Sequence, residues 1–326
     1  MKILKTFVKN LFLTFINILD VLLAPISILS LIWFKIVKST FWKFGNGQMK
    51  FSQYLFRSTG TLPITRHYYE PFVRLKNESR ISIPIDFNRK EQVDLLASFD
   101  FNSELTAIPI EKQHGQSFYY KNETFESGDA EMLYNMVRKF KPKNIVEIGS
   151  GYSTLMSLLA IDQNTKEQDS DHCLLTCIEP FENKWLANLP IQLIKEKVED
   201  VSMDLFMNLT ENDILFIDSS HIIKPEGDVL HEIFQILPTL NKGVIVHIHD
   251  IFTPMHYPME WVNSNFRFWN EQYLLEAFLM NNDQFKIVCA MNYLRLNFPT
   301  ELFGCCPILA NDKDQRPGSF WIQKIK

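Results

Sequence analysis

The chain has 326 residues, 46% of them hydrophobic and 22% charged, with a formal net charge of −5. That is enough apolar material for a sizeable core, and the acidic balance excludes a general nucleic-acid binder, which needs a basic face. The charge is unevenly divided: residues 1–50 carry seven lysines against Asp20, a net of +6, which leaves −11 on the remainder.

From Asn10 to Phe34 only Asp20 is charged, a stretch long enough to raise the question of a membrane span. Pro25 is expected to interrupt it. On a helical wheel Lys2, Lys5, Lys9, Asn10, Thr14, Asn17 and Asp20 fall on one half, opposite Leu4, Phe7, Leu11, Phe15 and Ile18. Such a helix lies in a lipid interface with its lysines toward anionic head groups. Val21 to Phe34 is more uniformly apolar, and lysines flank both ends, so no crossing direction follows. The expectation is a monotopic or re-entrant anchor over residues 1–50, with a single span as the alternative.

Residues 51–126 form an extension rich in aromatics, including Leu62–Pro71 and Gln116–Phe125. Arg66, His67 and Glu70 among those rings would suit a sugar or aromatic acceptor, and the alternative is simple packing on the catalytic domain. Residues 127–326 then read as one α/β domain. Ser127 is expected to cap a helix with acids in its first turn and lysines at its end.

The run Val146–Thr154, VEIGSGYST, is an apolar strand ending in an acid, then a glycine turn, then a helix start. Glycines allow a tight turn and close approach to a ligand, and the first helical amides offer unpaired donors. No third glycine follows at dinucleotide spacing, and Glu147 would repel a pyrophosphate while suiting a cofactor with a cationic amino-acid end. Further apolar runs end in acids: LLTCIEP in Glu179, NDILFIDSSH in Asp218 with His221 three residues on, and KGVIVHIHDIF in His249 and Asp250. IQLIKEKVED brings Glu199 and Asp200. In a doubly wound sheet these strand ends gather at one edge, so Asp218 and Asp250 should converge. Two such carboxylates repel unless a cation lies between them, and their oxygens suit magnesium or manganese.

These residues resemble motif I and the following acidic strand ends of the class I S-adenosylmethionine-dependent methyltransferases, and are similar to the family-24 type. The resemblance covers about residues 126–326. It implies a doubly wound, mostly parallel seven-stranded sheet, the Rossmann-like methyltransferase fold, behind the N-terminal hydrophobic helical anchor. It implies that Glu147, Gly149, Ser150, Gly151 and Ser153 hold the amino-acid end of S-adenosylmethionine, Glu179 the ribose, Glu199 and Asp200 the adenine side, and Asp218 the region of the methyl group. Catechol-type O-methyltransferases hold a divalent metal with acids after strands four and five, here Asp218 and Asp250. They place a lysine base where this chain has His221, an imidazole able to accept a proton near its ordinary pKa of about 6.5. The usual asparagine after the second acid is Ile251, which leaves His249 or water to complete the shell.

The expected reaction is O-methylation of a glycan, lipid-linked sugar or small metabolite. The HxHD string, His247 to Asp250, also admits a metal-dependent hydrolase, and a catalytically silent membrane adaptor is a third class. His67, His114, His172, His231 and His256 are scattered, and His247 is expected to pack inside. Five cysteines at no zinc spacing indicate reduced thiols and a membrane-associated enzyme whose catalytic domain faces the cytoplasm. The closing segments Phe285–Leu294 and Ser319–Ile325 read as an antiparallel pair of strands, with Gly318 as a turn and residues 295–317 as a lid or cover.

Overall fold

The computed structural model describes residues 2–44, 58–59, 80, 83–113, 117–168, 173–181, 183–312 and 314–326. They fall into two compact units, Met1–Val73 and Arg74–Lys326. In the first, α1 (Lys2–Phe44) is one helix that runs through Pro25. The expected interruption does not occur. Proline removes one main-chain hydrogen bond, and helix formers on either side, Leu22, Leu23 and Ala24 before it and Leu29 and Leu31 after, carry the helix past it. Within α1, Lys9–Ile36 spans 28 residues at a mean hydropathy of 2.2, about 42 Å at helical rise. The segment Leu62–Pro71, with Arg66, His67 and Glu70, lies outside the described residues.

The second unit is built on a seven-stranded sheet: β1 (Asn144–Ile148), β2 (Leu174–Ile178), β3 (Gln192–Ile194), β4 (Ile214–Ile217), β5 (Ile245–Ile248), β6 (Phe285–Ala290) and β7 (Phe320–Lys324). Their order is β3-β2-β1-β4-β5-β7-β6. β1 to β5 pair in parallel, and β7 runs antiparallel to both β5 and β6. This is the doubly wound arrangement expected from the sequence. Alternate residues serve opposite faces: Ile145, Ile214, Phe216 and Ile245 join one apolar cluster, and Val146, Ile148, Leu215, Ile217, Val246 and Ile248 the other. Strand order reverses between β1 and β4, which opens a crevice beyond their carboxyl ends.

The flanking helices are α2 (Arg89–Ala97), α3 (Asn102–Ala107), α4 (Asp129–Phe140) and α5 (Tyr152–Gln168). A bent helix, α6, follows β4. It comprises Asp228–His231, a π-turn Glu232–Ile236, and Leu237–Thr239. α7 (Glu271–Leu279), α8 (Met291–Asn297) and α9 (Pro299–Cys305) follow, beside two single-turn helices at Asp204–Met207 and Met259–Asn263.

Several boundaries differ from the sequence expectation. The cap of α4 is Gly128 at φ 86°, whose amide donates to Glu131 (2.9 Å), while the Ser127 hydroxyl turns toward Asp312. Only Gln192–Ile194 of the third run is strand, and Glu199 and Asp200 sit on a 3₁₀ turn. The polar residues from Gln163 continue α5 as far as Gln168. β6 stops at Ala290, because Met291 and Leu294, three apart, bury one helical face. Residues 295–317 are not an open lid: Leu302, Cys305 and Leu309 lie in the core. Of the aromatic run before α4, Phe118, Tyr120 and Phe125 are buried, so packing accounts for them. All five cysteines are free thiols.

Candidate active site

The glycine turn after β1 is held by main-chain bonds to both neighbouring strands. Gly149 N donates to Ile178 O (3.0 Å) and Asp218 N to Ile148 O (2.9 Å). Gly149 has φ 79°, and a Cβ there would stand 2.0 Å from the Asp218 carbonyl oxygen. Only glycine fits. Around Gly151 nothing lies within 4 Å of a Cβ position, so its need is space rather than strain.

Glu147 is buried on the α5 side of β1. It accepts from the Ser153 hydroxyl at 2.5 Å and from the Cys177 thiol at 3.6 Å. Burial pushes its carboxyl up to about 8. It therefore braces the turn from beneath and is not part of the cavity wall. Glu179 does reach the wall, where it accepts from the amides of Ser150 (3.1 Å) and Phe181 (2.7 Å) and so ties the turn to the end of β2.

A cavity of about 530 Å³ opens at the carboxyl ends of β1, β2 and β4, within the range usual for small-molecule sites. Gly149, Glu179, Lys197, Glu199, Asp218 and Asp228 are among its walls. Of the cofactor candidates, Ser150, Gly151, Ser153 and Asp200, like Glu147, stand outside that wall.

Asp218 faces both this cavity and a dense charged cluster. Its Oδ1 is 3.2 Å from His221 Nε2 and 3.4 Å from His249 Nδ1. Asp250 Oδ2 lies 3.8 Å from His221 Nε2 and 3.6 Å from His249 Nδ1. His249 Nε2 is 3.7 Å from Asp129, a buried carboxylate fixed by the amides of Gly318 (3.1 Å) and Ser319 (2.7 Å). His221 and Asp250 both adopt left-handed backbone, at φ 58° and 56°, a conformation that costs a non-glycine residue about 1–3 kcal/mol and persists where the surroundings enforce it.

The residue that sequence reasoning missed is Glu271. Its carboxylate sits 2.8 Å from His221 Nδ1, and Asn270 N (3.0 Å) and Glu271 N (3.3 Å) both donate to the His221 carbonyl. α7 buries Glu271, Gln272 and Glu276 with Leu275 and Leu279, while Tyr273 is exposed and Leu274 and Phe278 are only half-buried, so its apolar periodicity points to the other face. The signal was a chain of polar residues at helical spacing, which reads as a solvated face until the partners 20–50 residues away are known.

The electrostatics follow from this crowding. Burial opposes charge on His221, but its contacts with Asp218 and Glu271 outweigh that and raise it to about 10. Burial likewise opposes His249, and the charges of Asp250 and Asp218 raise it well above its ordinary value. Asp218 would be raised by burial, yet the charge of His249 and the contact with His221 hold it below the usual range. Burial dominates at Asp250, which is raised.

His247 takes no part. It stacks on Phe216 (4.0 Å) and lies 4.6 Å from Trp321, bonds Ser319 Oγ at 2.9 Å, and is kept neutral by burial. The HxHD hydrolase reading thereby loses one of its ligands. The donor atoms that gather within 4.8 Å of one another belong to Asp218, His221 and Asp250. His221 joins that group, while His249, the expected further ligand, lies with Nδ1 3.4 Å from Asp218 and 3.6 Å from Asp250 and with Nε2 3.7 Å from Asp129.

Residues 146–251 match the family model described as a methyltransferase domain, family 24. An Archaeoglobus fulgidus protein described only as uncharacterized is 30% identical over 175 residues, 48% of this chain and 77% of that one. Residues 146–251 are a methyltransferase domain of the family-24 type. Among solved structures, the O-methyltransferase TomG of Streptomyces achromogenes, in complex with SAM, is similar at 12% identity and TM-score 0.36, over 72% of this chain and 90% of that one. A Bacillus cereus O-methyltransferase in complex with SAH is similar at 15% identity and TM-score 0.34, over 75% and 93%. The matched segment runs from within β1 through β5 and includes every acid of the cluster except Asp129 and Glu271.

Proposed function

We propose that the protein is an S-adenosylmethionine-dependent O-methyltransferase that acts on a hydroxyl of a glycan, lipid-linked sugar or small metabolite at a membrane surface. The observation that carries this reading is the position of Asp218, one side chain shared by the glycine-turn cavity and the His221 cluster. The cavity fits the donor: its floor admits no Cβ at Gly149, and its rim carries Glu179 and Glu199, suited to ribose hydroxyls and an adenine amine. S-adenosylmethionine would supply an electrophilic methyl group on a sulfonium. The negative wall complements that cation.

Glu271 fixes the His221 ring through Nδ1, so that Nε2 faces Asp218 and Asp250. In the ligand-free cluster His221 holds a proton between its two carboxylates. Positive charge entering beside Asp218 and Asp250 lowers its affinity for that proton and frees Nε2 to take one from the acceptor hydroxyl. The carboxylates fit a divalent cation, which Asp218 and Asp250 would hold beside His221 and which would lower the pKa of a bound hydroxyl while Nε2 stays free to accept its proton. Asp250 otherwise orients the acceptor.

The continuous apolar stretch Lys9–Ile36 exceeds the hydrocarbon core of about 30 Å, and its exposed Leu22, Ile26, Leu29 and Trp33 leave apolar surface on several sides. We read it as a membrane anchor, a tilted span fitting it better than an interfacial helix, with the catalytic unit on the cytoplasmic side. Calorimetric titration with S-adenosylhomocysteine, with and without magnesium, tests the reading. Saturable binding strengthened by magnesium supports it; a hydrolase would show no binding, and a silent adaptor would show none or binding without methyl transfer.

A further inference from the structure

The buried polar face of α7 ties together two parts of the reaction centre. At its start Glu271 holds the His221 ring at 2.8 Å. One residue on, Gln272 holds the loop that follows Asp250: its Oε1 accepts from Phe252 N at 2.7 Å, and its Nε2 donates to Met255 O at 2.8 Å. One turn further, Glu276 accepts from the Thr253 hydroxyl at 2.7 Å and from Gln272 Nε2 at 3.4 Å. The base and the second acid are therefore set against one helix.

These two donors are neutral, and Glu276 is a buried carboxylate with a side chain 6% exposed. A cation reaches it from far away in the sequence. Arg80, 196 residues earlier, donates from Nη1 to Glu276 Oε1, the oxygen that also takes the Thr253 and Gln272 bonds. Its guanidinium lies over the Tyr273 ring, 5.0 Å from the centroid, and its side chain is 16% exposed. A carboxylate buried among neutral donors is costly, whereas one paired with a guanidinium keeps its charge and its geometry.

Arg80 belongs to the extension ahead of the catalytic domain, and neither it nor Glu276 lies in the matched segment 146–251. Asp250 stands two residues before Phe252, in left-handed backbone at φ 56° that its surroundings must enforce. On its carboxyl side those surroundings are the Gly318 carbonyl on Ile251 N (2.8 Å), the Asn292 amide on the Phe252 carbonyl (2.5 Å), and Gln272 and Glu276 on the loop. Loss of the charge on Glu276's partner loosens the last of these.

We propose that Arg80 is a positioning residue for the reaction centre: by neutralising Glu276 it completes the clamp on the loop after β5, and so fixes Asp250 for a divalent cation shared with Asp218. The proposal rests on the reading of these two acids as the holders of that cation. It makes the extension a part of the site's geometry.

The test compares the full chain with Arg80→Met and Arg80→Lys in three measurements: hydrogen exchange read by mass spectrometry, manganese binding followed by electron paramagnetic resonance, and metal-free calorimetric titration with S-adenosylhomocysteine. In Arg80→Met, exchange should rise roughly tenfold or more in residues 251–258 and 271–279 and stay unchanged in residues 144–155. Manganese affinity should fall roughly 10–100-fold, as for loss of a group that orients a metal ligand, with S-adenosylhomocysteine affinity within about twofold. Lysine keeps the charge and loses the planar fork, so Arg80→Lys should recover most of both effects. Exchange that is unchanged, or that rises evenly over the chain, overturns the clamp. A loosened loop with unaltered manganese affinity makes Arg80 a purely structural residue and overturns its positioning role. If Arg80→Met fails to bind S-adenosylhomocysteine, Arg80→Lys decides by the same criteria. An unaltered chain that binds S-adenosylhomocysteine but no manganese overturns the cation reading on which the proposal rests, and one that binds neither overturns the methyltransferase reading itself.

Discussion

Glu271 and His221 lock each other at two levels: the carboxylate lies 2.8 Å from the ring Nδ1, while the Glu271 amide donates to the His221 carbonyl at 3.3 Å. The imidazole is therefore fixed in tautomer and in rotation, and it is fixed from a helix 50 residues away in sequence. Replacing Glu271 by glutamine keeps the shape and removes the charge. Methyl transfer should fall roughly 10–100-fold, the cost usual for losing a residue that orients a functional histidine, with S-adenosylhomocysteine affinity within about twofold. Steady-state kinetics beside calorimetry separates the two; an unchanged rate would remove Glu271 from the mechanism.

Proton release should accompany binding. His221, raised to about 10 in the ligand-free cluster, is charged at pH 8. Added positive charge beside Asp218 and Asp250 displaces its proton. Binding of S-adenosylmethionine with magnesium should then show an apparent enthalpy that changes with the ionisation enthalpy of the buffer, and His221→Ala should flatten that change. Equal enthalpies in Tris and phosphate buffers would contradict the coupling.

Gly149→Ala should be severe. Its Cβ would stand 2.0 Å from the Asp218 carbonyl oxygen, at a positive φ that alanine also resists. We expect a loss of about 3 kcal/mol or more, in the range of backbone strain combined with steric conflict, together with loss of donor binding. Gly151→Ala, with open space at its Cβ position, should leave stability nearly unchanged and weaken donor binding alone. Denaturant melts and titrations on both variants check the contrast.

Stability should decline from mildly acidic toward alkaline pH because of Glu147. Its carboxyl has an ordinary value of 4.5 and is raised by burial to about 8, so between those values the fold binds a proton that the unfolded chain has released. The contribution is full below 4.5 and is lost as pH rises through about 8. Glu147→Gln should flatten that part of the curve when denaturation midpoints are measured from pH 5 to 9. A parallel curve would show that Glu147 is ionised in the fold.

Much of the centre was legible because parallel strands announce themselves as apolar runs with acids at their ends. Glu147, Glu179, Asp218 and Asp250 each close such a run, and the doubly wound sheet carries the last three to one edge. Side-chain direction was not legible. Glu147 turns under the sheet toward Ser153, a choice set by strand parity relative to α5. His221 and His249 both face Asp218 and Asp250, because left-handed backbone in the loop after β4 aims the first there, while the second also reaches Asp129. Glu271 was hidden for a different reason: α7 buries its acids against partners that only the fold supplies, so hydrophobic periodicity pointed to the wrong face. Pro25 misled in the same local way, since α1 continues through it.

The most direct measurement is a crystal structure of the protein with S-adenosylhomocysteine. The account expects the ligand's ribose at Glu179, its amino-acid end over Gly149 and Gly151, and its sulfur on the side of Asp218 that faces Asp250 and His221. Density for the ligand elsewhere, or a sulfur shielded from Asp218 by protein, would contradict it.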